Sequence, residues 1–201
     1  METKGSVPCK FRCEDGNVYV VKHSENGKKN RDLINEVIGN RIALAIGINT
    51  PEIGLIEIDS KLIPSYYEIE RGIPKGIGFG SKWLKGATVN LNEENSVAIY
   101  EKCDKEAIMR TFIKIILFDI WLRNTDRTIG NPNILIQETK EMINLIAIDH
   151  TMIFGGLGFD NIYKEKDLEP TIEETLIQHK LFEKIKADNG FLIDVMVKEI
   201  I

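Results

Sequence analysis

Trp121-Leu-Arg-Asn-Thr-Asp-Arg-Thr-Ile-Gly-Asn-Pro-Asn-Ile-Leu-Ile136 carries a carboxylate, Asp126, and a carboxamide, Asn131, five positions later. It runs into a short apolar segment, residues 133–136, then a polar turn, residues 138–141. A second apolar run, residues 143–148, ends on Asp149. Two short β-rich runs split by a polar turn read as a β-hairpin. In an antiparallel pair the start of the first strand lies beside the end of the second. The pattern therefore predicts that Asp126 and Asn131, entering the hairpin, meet Asp149, leaving it. Two carboxylates and one amide oxygen form a hard-oxygen set suited to Mg²⁺.

Phosphoryl transfer needs such a set. One carboxylate orients the attacking hydroxyl, while a second carboxylate and an amide hold metal against the phosphates. The Asp-x-x-x-x-Asn spacing equals that of the protein-kinase catalytic loop, and Asp149, at a strand end, takes the metal-binding place.

Composition narrows the alternatives. The chain has 201 residues, enough for one domain or two small lobes around a cleft. Its hydrophobic content of 43% and charged content of 28% fit a folded soluble protein. Net charge is −5, and no Lys/Arg block lies on a predicted helix, which argues against nucleic acid as the main ligand. No apolar run is long enough to span a bilayer, and the first residues lack an apolar signal core. Cys9, Cys13 and Cys103 are too few for a disulfide frame or a four-cysteine zinc site. Reduced thiols and a cytoplasmic location are the expectation.

Around the central segment the chain reads as follows. Residues 7–13 and 17–22 flank Glu14-Asp-Gly16, a strong hairpin signal. Lys22 ends the second strand. Alone it reads as a solvated lysine; beside the downstream carboxylates and amide it reads as a contact for nucleotide phosphates. Gly5 and Ser6, before the first strand, would let backbone N–H groups approach a phosphate. A helix over residues 31–46 carries Glu36 among apolar neighbours, where it would pair with Lys22 or sit on the helix surface. Residues 52–58 alternate as a strand. Residues 72–80 are too glycine-rich for a regular element and read as a loop. Trp83 is expected to pack in the core or between lobes rather than to stack on a base. Asp104 caps a long helix over residues 105–122. Asp119, on its apolar face, is expected to bond the backbone of the following loop, because a buried charge needs partners. Helices are expected over residues 171–186 and 191–201, broken at 188–190. His23, His150 and His179 lack metal-motif spacing, and His150 is read as structural.

Residues 121–136, with Ile146-Ala-Ile-Asp-His150, resemble the catalytic core of the HipA-like kinases, most closely their compact stand-alone branch. Tyr19-Val-Val-Lys22, Leu33-Ile-Asn-Glu36 and Gly47-Ile-Asn-Thr-Pro-Glu52 resemble the small lobe of that family. The resemblance implies an α+β, two-lobed protein-kinase-like fold. Residues 1–90 would form a lobe with a small antiparallel sheet, and residues 91–201 a mainly helical lobe carrying the catalytic hairpin. It implies ATP and Mg²⁺ as cofactors and transfer of the γ-phosphate to a protein serine or threonine. Asp126 would be the base or hydroxyl-orienting residue, and Asn131 and Asp149 the metal ligands. Lys22 would contact the phosphates with Glu36 behind it. Gly5 and Ser6 would lie in the phosphate-covering loop, with Ser6 a candidate for self-modification. Implied partners are a protein substrate and an antitoxin or fold-completing partner, or a second copy of the chain; neither nucleic acid nor membrane is expected. Three features depart from the family: position 128 is Thr where its toxins often carry His, the loop around Gly5 is short, and the chain is much shorter than full toxins. The alternatives are a pseudokinase-type binding module, a phosphatidylinositol-kinase-like lipid kinase and a two-metal phosphodiesterase.

Overall fold

A computed structural model describes residues 9–23, 30–59, 61, 76–139, 142–156 and 176–198. Gly5 and Ser6 lie outside the described residues, as do the start of the expected 171–186 helix and residues 199–201. The chain is an α+β protein.

The first sheet begins with the expected hairpin. Strands β1 (Cys9–Arg12) and β2 (Val18–His23) pair antiparallel, with Cys9 opposite Val21. Gly16 takes the positive φ of 79° that the turn requires. Helix α1 (Asn30–Ala45) follows, then β3 (Ile53–Ile58) and β4 (Gly76–Lys82). The sheet order is β1-β2-β4-β3, so β4 is a central strand.

That corrects the reading of residues 72–80 as a loop for residues 76–80; residues 72–75 lie outside the described residues. Glycine weakens a strand by its backbone freedom, but it also marks close approach of neighbours. A Cβ at Gly78 would lie 2.7 Å from Val21 Cγ1 and 2.9 Å from the Lys22 carbonyl oxygen. The glycines are required where the two neighbouring strands press on β4.

The second sheet, β5-β6-β7, is built from β5 (Ala87–Asn90), β6 (Ile134–Glu138) and β7 (Ile143–Ala147). The hairpin register sets Ile134 opposite Ala147, and Ile148 N donates to Asn133 O at 2.9 Å. Both ends of the hairpin therefore meet, as the spacing predicts.

Helix α2 (Glu93–Lys102) was not legible in the sequence. Asn92 caps it and Asn95 returns the bond to the Asn92 backbone. Helix α3 (Lys105–Leu122) has the expected bounds, and the Asp104 side chain accepts from Glu106 N and Ala107 N. Its Ile108, Phe112, Ile115 and Phe118 are almost wholly buried and form the spine of the main core. Arg123 ends α3 in the left-handed region, with φ 50° and its N–H on the Ile120 carbonyl oxygen. The chain thereby leaves the helix sharply into the Asp126 loop.

Helix α4 (Lys180–Lys198) is two helical runs joined across a kink at Asn189 (φ −137°), at the expected break. Residues 176–178 form a 3₁₀ turn where a continuous α-helix was expected. Among the described residues no helix is long and apolar enough to cross a membrane.

Candidate active site

Lys22 sits at the meeting point of the first sheet, α1 and the hairpin exit. Its ammonium pairs with Glu36 Oε1 from α1 and, at 2.8 Å, with Asp149 Oδ2. Glu36 reaches further: its Oε2 accepts from His150 N at 2.9 Å. One carboxylate thus ties the β2 lysine to the backbone immediately after Asp149. Helix α1 can approach because residue 39 is glycine; a Cβ there would lie 2.4 Å from His150 Cβ. Asn35 Nδ2 adds a bond to Thr151 O at 2.9 Å.

Asp149 adopts φ 57°, a left-handed conformation that is uncommon outside glycine but accessible to Asp. Thr151 Oγ1 donates to its Oδ1 at 2.8 Å. Burial opposes the Asp149 charge, but the Lys22 ammonium and the Thr151 hydrogen bonds outweigh it and hold the carboxyl below its ordinary range. Burial also works against the Lys22 ammonium, yet Glu36 and Asp149 together raise its pKa and keep it charged. Glu36 is more deeply buried. Burial raises its pKa, with Lys22 and the His150 N–H pulling the other way.

Asp126 and Asn131 lie at the hairpin entrance. Asn131 Nδ2 donates to Asp126 O at 3.3 Å, which turns the amide oxygen of Asn131 away from that carbonyl. Asn133 Nδ2 holds Asp126 Oδ2 at 3.0 Å, from a residue with φ 48°. Asn124 Oδ1 accepts from Asp126 N at 3.3 Å. The loop is thus set by amide side chains on both sides of the carboxylate.

Beneath the loop lies Arg127, only 1% exposed. Its guanidinium bonds Asp119 Oδ1 at 2.7 Å, Pro132 O at 3.1 Å and Ile148 O at 2.6 Å. Asp119 also accepts from Asn124 Nδ2 at 3.0 Å. The expected structural role of Asp119 holds, but its carboxylate binds loop side chains rather than loop backbone. Arg127, Asn124 and Asn133 were missed by sequence reading, since a loop arginine or asparagine gives no signal of burial.

His150 is structural in placement. It is 1% exposed and meets Phe118 edge-on at 5.4 Å between centroids. Burial and the Arg127 cation keep its pKa well below the ordinary 6.5. Arg127 Nη2 lies 3.4 Å from Nδ1, which assigns Nδ1 as acceptor and the proton to Nε2. The stability consequence has a definite sign. A histidine whose folded pKa is depressed binds more protons when unfolded, so stability falls as pH drops below the unfolded value. We expect stability to decline as pH falls from 6.5 to about 5.5, less steeply in His150→Gln. Urea midpoints across this range check it; equal slopes in the two proteins would contradict it.

A cavity of about 440 Å³ opens between the two sheets. Lys22, Glu36 and Asp149 form its charged end, while Val20, Phe79, Leu84, Leu135 and Ile148 line its apolar part. Its size and mixed lining suit a small organic ligand with a polar, charged end. Trp83 also lines it, 47% exposed, with Lys10 Nζ 3.4 Å from the ring centroid. Trp83 is therefore at the cavity rim and outside the core.

An apolar slot ending in a lysine between two carboxylates, beside a loop presenting another carboxylate and an amide, is the geometry of a kinase-type phosphotransferase. A family profile described as HipA-like kinase matches residues 3–177. The chain belongs to the HipA-like kinases. A search of curated proteins gave no match.

Proposed function

We propose that this protein is an ATP- and Mg²⁺-dependent kinase with a two-lobed protein-kinase-like fold, acting on a serine or threonine hydroxyl of another protein. The observation that carries this reading is the Lys22–Glu36–Asp149 cluster at the charged end of the apolar cavity. The apolar part suits a purine, and the charged end suits its phosphates.

The donor set fits magnesium. Asp149 and Asn131 offer carboxylate and amide oxygens; Asp149 Oδ1 accepts from both Thr151 N and Oγ1, while Oδ2, paired with Lys22, keeps acceptor capacity. Among the described residues no group of three or more His, Cys, Asp or Glu side chains forms a metal cage. Magnesium at phosphate sites needs none, since one or two protein ligands suffice alongside substrate phosphates. The ion would neutralise charge on the phosphates when bound.

The residues divide the remaining work. Lys22 neutralises phosphate charge, and Glu36 holds it in place. Asp126 orients the acceptor hydroxyl and receives its proton. The hydroxyl oxygen bonds to the γ-phosphorus as the bond to the β–γ bridging oxygen breaks, and ADP leaves.

Thermal unfolding with and without ATP and Mg²⁺ tests the reading. A ligand bound only to the native state at a hundredfold over its dissociation constant adds about 2.7 kcal/mol, or roughly 5–10 °C for a chain of this size. We expect a Mg²⁺-dependent rise in wild type and its loss in Asp149→Asn. An equal rise in the variant would remove Asp149 from the metal site. No rise in either protein would sink the ATP assignment.

A further inference from the structure

We propose that Arg127 is the positioning residue of the transfer site: one buried guanidinium fixes Asp126, Asn131 and Asp149 relative to one another. The inference rests on the kinase reading above and adds to it a residue that touches neither nucleotide nor acceptor.

The placement is covalent as well as spatial. Arg127 directly follows Asp126. Its Nε holds the carbonyl of Pro132, the residue directly after Asn131, at 3.1 Å. Its Nη2 holds the carbonyl of Ile148, the residue directly before Asp149, at 2.6 Å. Each of the three site residues is therefore one peptide unit from a group on the same planar cation. The third oxygen, Asp119 Oδ1 at 2.7 Å, anchors that cation to the rigid core helix α3.

The choice of arginine follows from the geometry. A guanidinium presents five donors in a rigid fork, so it can serve three oxygens lying in different directions. A lysine ammonium keeps the charge opposite Asp119 but is a point donor on a flexible stem. It cannot fix both carbonyls together. Without the fork, the hairpin exit and the catalytic loop lose their shared reference, and the Asn131–Asp149 pair is no longer held at one separation.

Two variants separate positioning from folding. Arg127→Lys keeps the buried charge pair. Asp119→Asn/Arg127→Gln removes both charges and keeps amides able to hydrogen-bond. Calorimetry would measure ATP affinity with EDTA and with Mg²⁺, alongside urea midpoints. We expect both variants to fold and to bind metal-free ATP much as wild type does. We expect the Mg²⁺-dependent gain in ATP affinity to fall by about 10–100-fold, the range for losing a residue that orients metal ligands. A wild-type Mg²⁺ gain in either folded variant overturns the proposal while leaving the kinase reading intact. Failure of both variants to fold also overturns it, since Arg127 would then be purely structural. If wild type itself binds no ATP, the kinase reading fails and this proposal falls with it.

Discussion

Asp119→Ala is expected to lower the unfolding free energy by about 3–5 kcal/mol, the cost of leaving one member of a buried ion pair without its partner. Asp119 is 4% exposed and Arg127 1%, so water cannot take over the lost contact. The deletion leaves the Arg127 cation beside Ile148 O, Pro132 O and the neutral His150 ring, with no counter-charge among these contacts. Asn124 Nδ2 loses its acceptor at the same time. Against a typical total stability of about 5–15 kcal/mol this is a large fraction. The midpoint of thermal unfolding should fall by roughly 10 °C. Asp119→Leu/Arg127→Met should recover part of the loss, because the uncompensated charge goes too. Recovery stays partial because the Pro132 and Ile148 carbonyls each lose a donor. Urea titrations of the two variants check both statements. A loss below about 1 kcal/mol in Asp119→Ala would mean that the charge pair does not stabilise the native loop.

The same network shows what the sequence could and could not disclose. Helix α3 was legible to the residue, because its apolar face repeats with helical period and Asp104 marks its start. Both hairpins were legible from turn chemistry between β-rich runs, and the β6–β7 hairpin carried its own register. The pairing of Lys22 with Glu36 could be weighed but not decided, since it depends on how closely α1 approaches the hairpin exit. That approach is set by Gly39 against His150, a contact spanning most of the chain. Strand β4 was misread because its glycines signal a loop locally and a tight strand only in the presence of Val21 and Ile56. Arg127 was invisible for a related reason. Surface and buried arginines look alike in sequence, and its partners Asp119, Pro132 and Ile148 come from three separate elements.

Asp126→Ala is expected to lower the rate of phosphate transfer by about 10²–10⁴-fold, the usual contribution of a positioned general base, with nucleotide affinity unchanged. The separation of effects follows from the site's layout. Asp126 is not among the residues lining the cavity, whereas Lys22 and Asp149 are. Among the described residues its carboxylate is held by Asn133 Nδ2 on Oδ2, which leaves Oδ1 to meet an incoming hydroxyl. An alanine therefore removes the proton acceptor without disturbing the groups that would hold ATP. Asp126→Asn is the sharper variant, because it preserves size and can keep an oxygen toward Asn133 while removing the base. Radiolabelled γ-phosphate transfer to any acceptor, the chain itself included, supplies the rate, and calorimetry supplies the affinity. Loss of both together would place Asp126 among the nucleotide-binding groups instead. Transfer at the wild-type rate in Asp126→Asn would overturn the role of Asp126 as the base.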